Sequence, residues 1–317
     1  MSLRILFFGT SEFAAPSLEA LAAMPDARVV AVVTQPDRPK GRGRAPSESP
    51  VKQTARRLGL PVLQPERVRS RRFLEEARAL EPDLLALASF GQIIPAALLD
   101  MPPLGPVNVH ASLLPAYRGA APIQRALLAG EERTGVTTMW MEPTLDTGDI
   151  LLCREVEIAP DDDAGSLTER LARVGAGLLV ETVRLLRDGE CPRTPQDPSR
   201  ATWAPAIEPA DAVVRWDEPA QTVRNRVRAM SPRPGAVTAL AGRKMKLWRV
   251  DASEGAAAAA PGEVLAVSRD GVTVAAGAGV VTLREVQPES GRRMAASDWA
   301  RGARLTPGAR FEIVKEL

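Results

Sequence analysis

The sequence predicts an α/β fold: an N-terminal domain built on a mostly parallel sheet, followed by a small C-terminal β-barrel. Three observations predict it. Short apolar runs alternate with helix-length segments from Leu3 to His110, as a parallel sheet buried on both faces requires. A stretch dense in proline and polar residues, Cys191–Pro209, reads as a linker. Beyond Gly235, short apolar runs are punctuated by glycines, the pattern of a small barrel or sandwich. The 317 residues fit two domains, with expected bounds of 1–190, a linker at 191–207, and 208–317.

The elements follow in order. Leu3–Phe8 is apolar except for Arg4 and reads as a strand ending at Gly9. Pro16 suits the first turn of a helix through Leu18, Leu21 and Ala22. Arg28–Thr34 is the second strand, Pro50–Leu58 a short basic helix, and Pro61–Leu63 a third strand. Arg71–Leu80 reads as helix, and Leu84–Ala88 and Pro106–His110 as the fourth and fifth strands. Gly135–Met141 and Ile150–Ile158 read as a β pair joined through Leu145-Asp146-Thr147-Gly148-Asp149. A long helix, Ser166–Arg187, precedes the linker, and Gln221–Met230 is a helix beyond it. Gly262–Val267, Gly271–Ala275 and Gly279–Glu285 are barrel strands, and the low-complexity Gly255–Ala260 is expected to be a mobile loop.

Parallel sheets bind ligands beyond the carboxyl ends of their strands. Gly9, Phe90-Gly91-Gln92 and Asn108–His110 all fall at such ends. Gly9–Ala14 supplies only one of the glycines that a dinucleotide fingerprint needs for close pyrophosphate approach, which argues against a nicotinamide cofactor.

Composition narrows the chemistry. Hydrophobic residues at 45% and charged residues at 25% are those of a soluble globular protein. One histidine and two cysteines cannot assemble a zinc or iron–sulfur ligand set, so no metal is expected. The cysteine count points to a reducing compartment, the cytoplasm. The apolar run Ile5–Phe8 is too short for a signal peptide, and nothing approaches the ~20 apolar residues of a membrane span.

Net charge is only +2 but unevenly spread. Residues 35–72 hold eleven Lys/Arg against three acids, and residues 208–317 seventeen against thirteen. A polyanionic partner would explain the asymmetry. A solvated face in a chain with thirty-six arginines to five lysines explains it equally well.

The single histidine, His110, the single tyrosine, Tyr117, and one of two asparagines, Asn108, lie within ten residues of one another. Asn108 and His110 are two apart, so on a strand they share a face. A carboxamide stabilises developing charge on a carbonyl oxygen, and an imidazole accepts the proton of an attacking amine; together they suit acyl transfer. Asp146 is the candidate to orient the imidazole, although on the residues alone it is equally a plain turn residue. No Gly-x-Ser-x-Gly occurs, so direct attack by a bound amine is the simpler route than an acyl-enzyme.

The run Asn108-Val109-His110-Ala111-Ser112-Leu113-Leu114-Pro115-Ala116-Tyr117-Arg118-Gly119-Ala120-Ala121-Pro122, with Leu145–Asp149, resembles the signature of the folate-dependent formyltransferases. That family acts on glycinamide ribonucleotide, amino sugars and methionyl-tRNA. Thr34–Arg44 resembles the basic loop of its tRNA-acting members. Trp203-Ala204-Pro205, Arg215-Trp216, Ser231–Ala236 and Pro261–Val264 resemble their linker and C-terminal barrel. One departure stands in the linker, Ala206 in place of the usual lysine.

The resemblance implies a Rossmann-like first domain, an OB-like second one, 10-formyltetrahydrofolate as co-substrate, and initiator methionyl-tRNA as partner of a monomer. It also implies roles. Asn108, His110 and Asp146 would be catalytic; Phe90, Gln92, Ile93, Ser112, Leu113, Leu114 and Pro115 would line the folate site. Arg38, Lys40, Arg42 and Arg44 would meet RNA, joined by Arg224 and Arg228, which share a helix face. For Phe90 and Ile93 core packing is the competing reading. A formyltransferase for a small amine, such as an amino-sugar nucleotide, and a non-catalytic RNA-binding protein are the alternatives.

Overall fold

The computed structural model describes residues 2–39, 46–255 and 259–314. They form two compact units: one of residues up to 122, 133–157 and 168–204, the other of 123–132, 158–167 and 205 onward.

In chain order the elements are β1 (Leu3–Gly9), α1 (Ala15–Ala22), β2 (Ala27–Val33), β3 (Arg38–Pro39), β4 (Pro46–Ser47), α2 (Pro50–Arg57), β5 (Val62–Leu63), α3 (Arg71–Ala79), β6 (Leu84–Ala88), α4 (Ala96–Leu99) and β7 (Pro106–His110). Then come α5 (Pro122–Ala129), β8 (Arg133–Trp140), β9 (Ile150–Glu157) and α6 (Ala164–Asp188). The first unit's sheet has the order β5-β2-β1-β6-β7-β8-β9. It is parallel through β7, and β8 and β9 return antiparallel.

The strand order reverses beside β1, which lies between β2 and β6, and such a reversal opens a crevice at the carboxyl ends. Every residue of β6 and β7 is buried, as continuous apolar strands in a two-sided sheet must be. Phe8 meets Phe73 and Phe90 edge-to-face, with centroids 6.3 and 5.2 Å apart. Local signals set the helix starts. Pro16 sits in the first turn of α1, and the Ser49 hydroxyl accepts the Lys52 N–H at the start of α2. Asp163 and Ser166 satisfy each other's backbone N–H groups at the start of α6.

The second unit contains α7 (Ala220–Ala229), then β10 (Ala236–Leu240), β11 (Arg243–Ser253), β12 (Val264–Ser268), β13 (Gly271–Ala275), β14 (Val280–Pro288), β15 (Met294–Ala295), α8 (Ala296–Gly302) and β16 (Phe311–Glu312). Its sheet is antiparallel in the order β12-β13-β14-β11-β10-β16, with β15 on β14. A bridge between Glu263 and Arg310 and the bond from Phe311 N–H to Gly262 O (2.8 Å) tie the two ends, so the sheet curls as an OB-like barrel does. Trp216 fills its interior, donating to Thr238 Oγ1 at 2.9 Å and packing on Phe311. Arg125 grips the Asp211 carboxylate bidentately, at 2.9 and 2.7 Å.

The sequence pattern anticipates the seven strands of the first unit's main sheet to within two residues. It misses α4, α5, α8 and the two-residue strands β3, β4, β15 and β16, and it gives no bounds for β10 and β11. The three helices are only four, eight and seven residues long; β10 and β11 pair locally, as a hairpin across Ala241-Gly242, within the stretch beyond Gly235 where only short strands in general were expected. The Gly255–Ala260 segment falls partly outside the described residues. Among the described residues no helix is long and apolar enough to cross a membrane.

Candidate active site

Strand β7 carries Asn108 and His110 to the carboxyl edge of the sheet, two residues apart and on one face. Both are almost fully buried, at 7% and 6% exposure. Asn108 lies opposite Leu87 and Met139, and His110 opposite Thr137. Thr137 shapes the loop after β7: its hydroxyl donates to Ser112 O (2.7 Å) and accepts the Leu114 N–H (3.1 Å). Ser112 Oγ in turn donates to Ala116 O at 2.6 Å, and the Leu114–Pro115 peptide is cis.

The loop brings Tyr117, in the left-handed region at φ 59°, back over the histidine. Its carbonyl oxygen lies 2.9 Å from His110 Nε2. A carbonyl only accepts, so Nε2 carries the proton and the lone pair of the neutral ring sits on Nδ1. Nδ1 faces Asp146 Oδ2 at 3.7 Å, beyond hydrogen-bond length. The ring is therefore oriented by a backbone carbonyl, while the Asp146 carboxylate, expected to orient it, faces the other nitrogen. A carbonyl acceptor carries no residue-type signal, so sequence reading could not find it.

Asp146 is also left-handed, at φ 53°, and its Oδ2 accepts the Gly119 N–H at 2.9 Å. Gly119 has φ 124°, and a Cβ there would lie 2.6 Å from Ala204 O, so the close approach demands glycine. Gly148 is similarly required, since a Cβ would meet Trp140 O at 1.9 Å.

The Asn108 Oδ1 atom is buried and has no hydrogen-bond partner among the described residues. A buried carboxamide with an unmet atom, in a strand-end crevice, is set to meet polar groups of a ligand. The loop residues Ser112–Pro115 stand beside it.

Other expected ligand contacts divide. The Phe90 ring belongs to the core, edge-to-face against Phe8; only its backbone is left for a ligand, and its carbonyl already accepts from Thr10 Oγ1 (2.9 Å) and Gln35 Nε2 (3.3 Å). Ile93 is the reverse, 84% exposed, an apolar side chain open to a partner. Gln92 bridges loops, accepting from Val68 N–H at 3.1 Å.

No cysteine is set up as a nucleophile. Cys153 is exposed, and burial pushes the Cys191 thiol up despite Arg193 nearby. Among the described residues no three His, Cys, Asp or Glu side chains gather as a metal site.

The basic residues also divide. Arg38 is exposed, and Lys40, Arg42 and Arg44 lie outside the described residues. The root of that loop is pinned by Asp37, whose carboxylate takes Lys52 Nζ at 2.5 Å and Gln64 Nε2 at 2.8 Å. Those bonds, Lys52's first, hold the Asp37 carboxyl below its ordinary value. In the second unit, Arg228 donates to Asp162 O (2.6 Å) and Ala159 O (2.9 Å), and Arg224 to Pro160 O. Burial, and next the Arg224 charge, push the Arg228 guanidinium down. These two arginines share a face as expected, but they are engaged with the 159–162 backbone.

Two residues escaped sequence reading, Gln196 and Thr202, while Arg118 stood within the family-like run with loop stabilisation as its competing reading. Thr202 Oγ1 accepts the Tyr117 N–H at 2.8 Å, and its carbonyl accepts the Arg118 N–H at 2.9 Å. The proline-rich stretch is thus part of the site's frame, with Trp203 bridged to Arg118 as a parallel strand would be.

Comparison with known proteins places this geometry. Residues 3–183 match the family model described as formyl transferase, and residues 206–304 that of the formyl transferase C-terminal domain. The chain is 46% identical over 306 residues to methionyl-tRNA formyltransferase of Moorella thermoacetica, covering 96% of this chain and 98% of that one. It is 49% identical over 313 residues to methionyl-tRNA formyltransferase of Symbiobacterium thermophilum, covering 98% and 95%. Among solved structures, HypX from Aquifex aeolicus in complex with tetrahydrofolic acid shares the fold, with TM-score 0.63 at 19% identity over 95% of this chain and 47% of that one. In both its halves, therefore, this chain belongs to the formyl transferase family, together with the methionyl-tRNA formyltransferases.

Proposed function

We propose that the chain transfers the formyl group of 10-formyltetrahydrofolate to the free amino group of initiator methionyl-tRNA, by direct attack of the amine and without an acyl-enzyme. The observation that carries this reading is the pair Asn108 and His110, buried at the carboxyl edge of a parallel sheet, with the half-buried Asp146 facing His110 at 3.7 Å and, among the described residues, no nucleophile prepared beside them. The unmet Asn108 oxygen offers a polar contact to a bound folate, and the exposed Ile93 an apolar one. When bound, 10-formyltetrahydrofolate supplies an activated formyl carbon.

The residues of the chain do the rest. Asn108 holds the formyl oxygen through its carboxamide as charge develops there. His110, its Nε2–H fixed on Tyr117 O, takes the amine's proton at Nδ1 and returns it to N10 of the folate as the formyl C–N10 bond breaks and tetrahydrofolate leaves. Asp146 faces that nitrogen at 3.7 Å and meets the positive charge that the transfer creates. Ser112–Pro115, Gln92 and the Phe90 backbone line the folate side. Arg38, Lys40, Arg42 and Arg44 meet tRNA phosphates, and Arg224 and Arg228 add to the positive potential of the second unit. The first domain is catalytic, the second an RNA-binding barrel, and the protein works as a monomer in the cytoplasm.

The test is transfer of labelled formyl from 10-formyltetrahydrofolate to methionyl-tRNA, run beside small amines including an amino-sugar nucleotide. Transfer to the tRNA alone is expected, and transfer only to a small amine overturns the reading. His110→Ala should slow single-turnover formylation by roughly 10²–10⁴.

A further inference from the structure

The turn that carries Asp146 is enclosed by a closed ring of hydrogen bonds centred on Gln196. The Gln196 Oε1 atom accepts from Arg118 Nε at 3.1 Å and Nη2 at 2.7 Å. Its Nε2 donates to Asp146 O at 2.9 Å and Gly148 O at 2.7 Å. The ring closes through the side chain of Asp146, which accepts the N–H of Gly119, the residue after Arg118. Arg118 itself is only 6% exposed.

We propose that Gln196 is a positioning residue for Asp146: it joins the Arg118 guanidinium to the carbonyls of the 146–148 turn and so keeps the Asp146 carboxylate facing His110. The inference rests on the reading of Asp146 as a member of the catalytic trio.

The chemistry of the position is specific. One group must accept from a guanidinium and donate to two carbonyls at once. A carboxamide does both; a carboxylate has no donor, and an ammonium has no acceptor. The orientation of the amide is fixed by the same partners, because reversing it would set NH₂ against the guanidinium and oxygen against two carbonyls. The turn needs such a hold. A non-glycine residue in the left-handed region persists only where its surroundings over-determine it, and Asp146 is one.

The segment that presents Gln196 is itself anchored on either side. Thr194 exchanges backbone bonds with Ile150, at 2.8 and 2.9 Å, and Ala204 N–H donates to Arg118 O at 2.7 Å. Loss of the Gln196 side chain therefore leaves its backbone in place and releases only the turn.

The test is single-turnover formylation of methionyl-tRNA by the full chain carrying Gln196→Glu, which still accepts from Arg118 but has neither donor. Gln196→Met, which adds no buried charge, runs beside it as the control against misfolding. Both are expected to lower the rate at saturation at least tenfold and to leave KM for either substrate within about twofold. On an Asp146→Asn background, the same substitutions are expected to change the rate less than twofold, because their effect passes through Asp146. A merely structural role would give losses that multiply on that background, and that result overturns the proposal. So does a normal rate in Gln196→Met when Asp146→Asn alone is impaired. A normal rate in Asp146→Asn alone instead removes the catalytic reading of Asp146, and the proposal with it.

Discussion

The carbonyl oxygen of Tyr117 lies 2.9 Å from Nε2 of His110, and this contact decides which nitrogen of the ring does chemistry. With the proton held on the carbonyl side, the basic lone pair points toward Asp146. Tyr117 can do this because its own N–H is taken by Thr202 and its backbone is turned left-handed. The imidazole is thus aimed by main chain, and its neighbouring carboxylate is reserved for the charge that arrives.

Asn108→Ala should lower the single-turnover rate by about 10²–10³ while leaving thermal stability near that of the parent. The rate loss is that of an oxyanion donor, ~3–4 kcal/mol. Stability is spared because the Asn108 oxygen has no hydrogen-bond partner among the described residues to lose. Parallel melting and quench-flow measurements check both halves, and a large drop in Tm with little change in rate contradicts the assignment.

Thr137→Val keeps the shape of a fully buried side chain but removes both bonds to the loop after β7. The Leu114 N–H and Ser112 carbonyl are then left unmet, at about 1–3 kcal/mol each. Chemical denaturation should show that loss, and KM for the folate should rise more than the rate falls.

The Asp211 carboxyl is pushed up by burial, but Arg125 and the Glu208 N–H outweigh this and hold it below its ordinary value. Because the folded value is the lower one, the stabilisation is present above the unfolded value of about 3.9 and is lost as pH falls through the folded value. Urea midpoints should therefore decline below about pH 4. Asp211→Asn should be less stable than the parent at pH 7 and should converge with it in acid.

Arg42→Ala should weaken tRNA binding and flatten its salt dependence, by a slope of about 0.7–0.9 for each phosphate that is no longer neutralised. Arg228→Met should instead lower stability, since its guanidinium serves the carbonyls of Ala159 and Asp162. Binding titrations across a salt series separate the two. An unchanged slope in Arg42→Ala removes that residue from the RNA interface.

The sequence by itself determined the alternation that builds the parallel sheet, because burial on both faces writes continuous apolar runs such as Leu84–Ala88 into the chain. It also placed Asn108 and His110 on one face, since strand geometry has a fixed period of two. It offered Asp146 as a candidate no better than a plain turn residue, and only the likeness gave it a catalytic role. Tertiary structure decided the rest. The Phe90 ring went to the core and Ile93 to the surface, a choice that depends on how the strand-end loop turns and not on residue type. The arginines of α7 were drawn to backbone carbonyls of a segment some sixty residues earlier in the chain. Most of all, the proline-rich stretch that reads as a linker in the sequence frames the site, through Gln196 and Thr202. Bonds of that kind join polar side chains to main-chain groups dozens of residues away, and main-chain groups are the same at every position, so only the folded chain can say which ones meet.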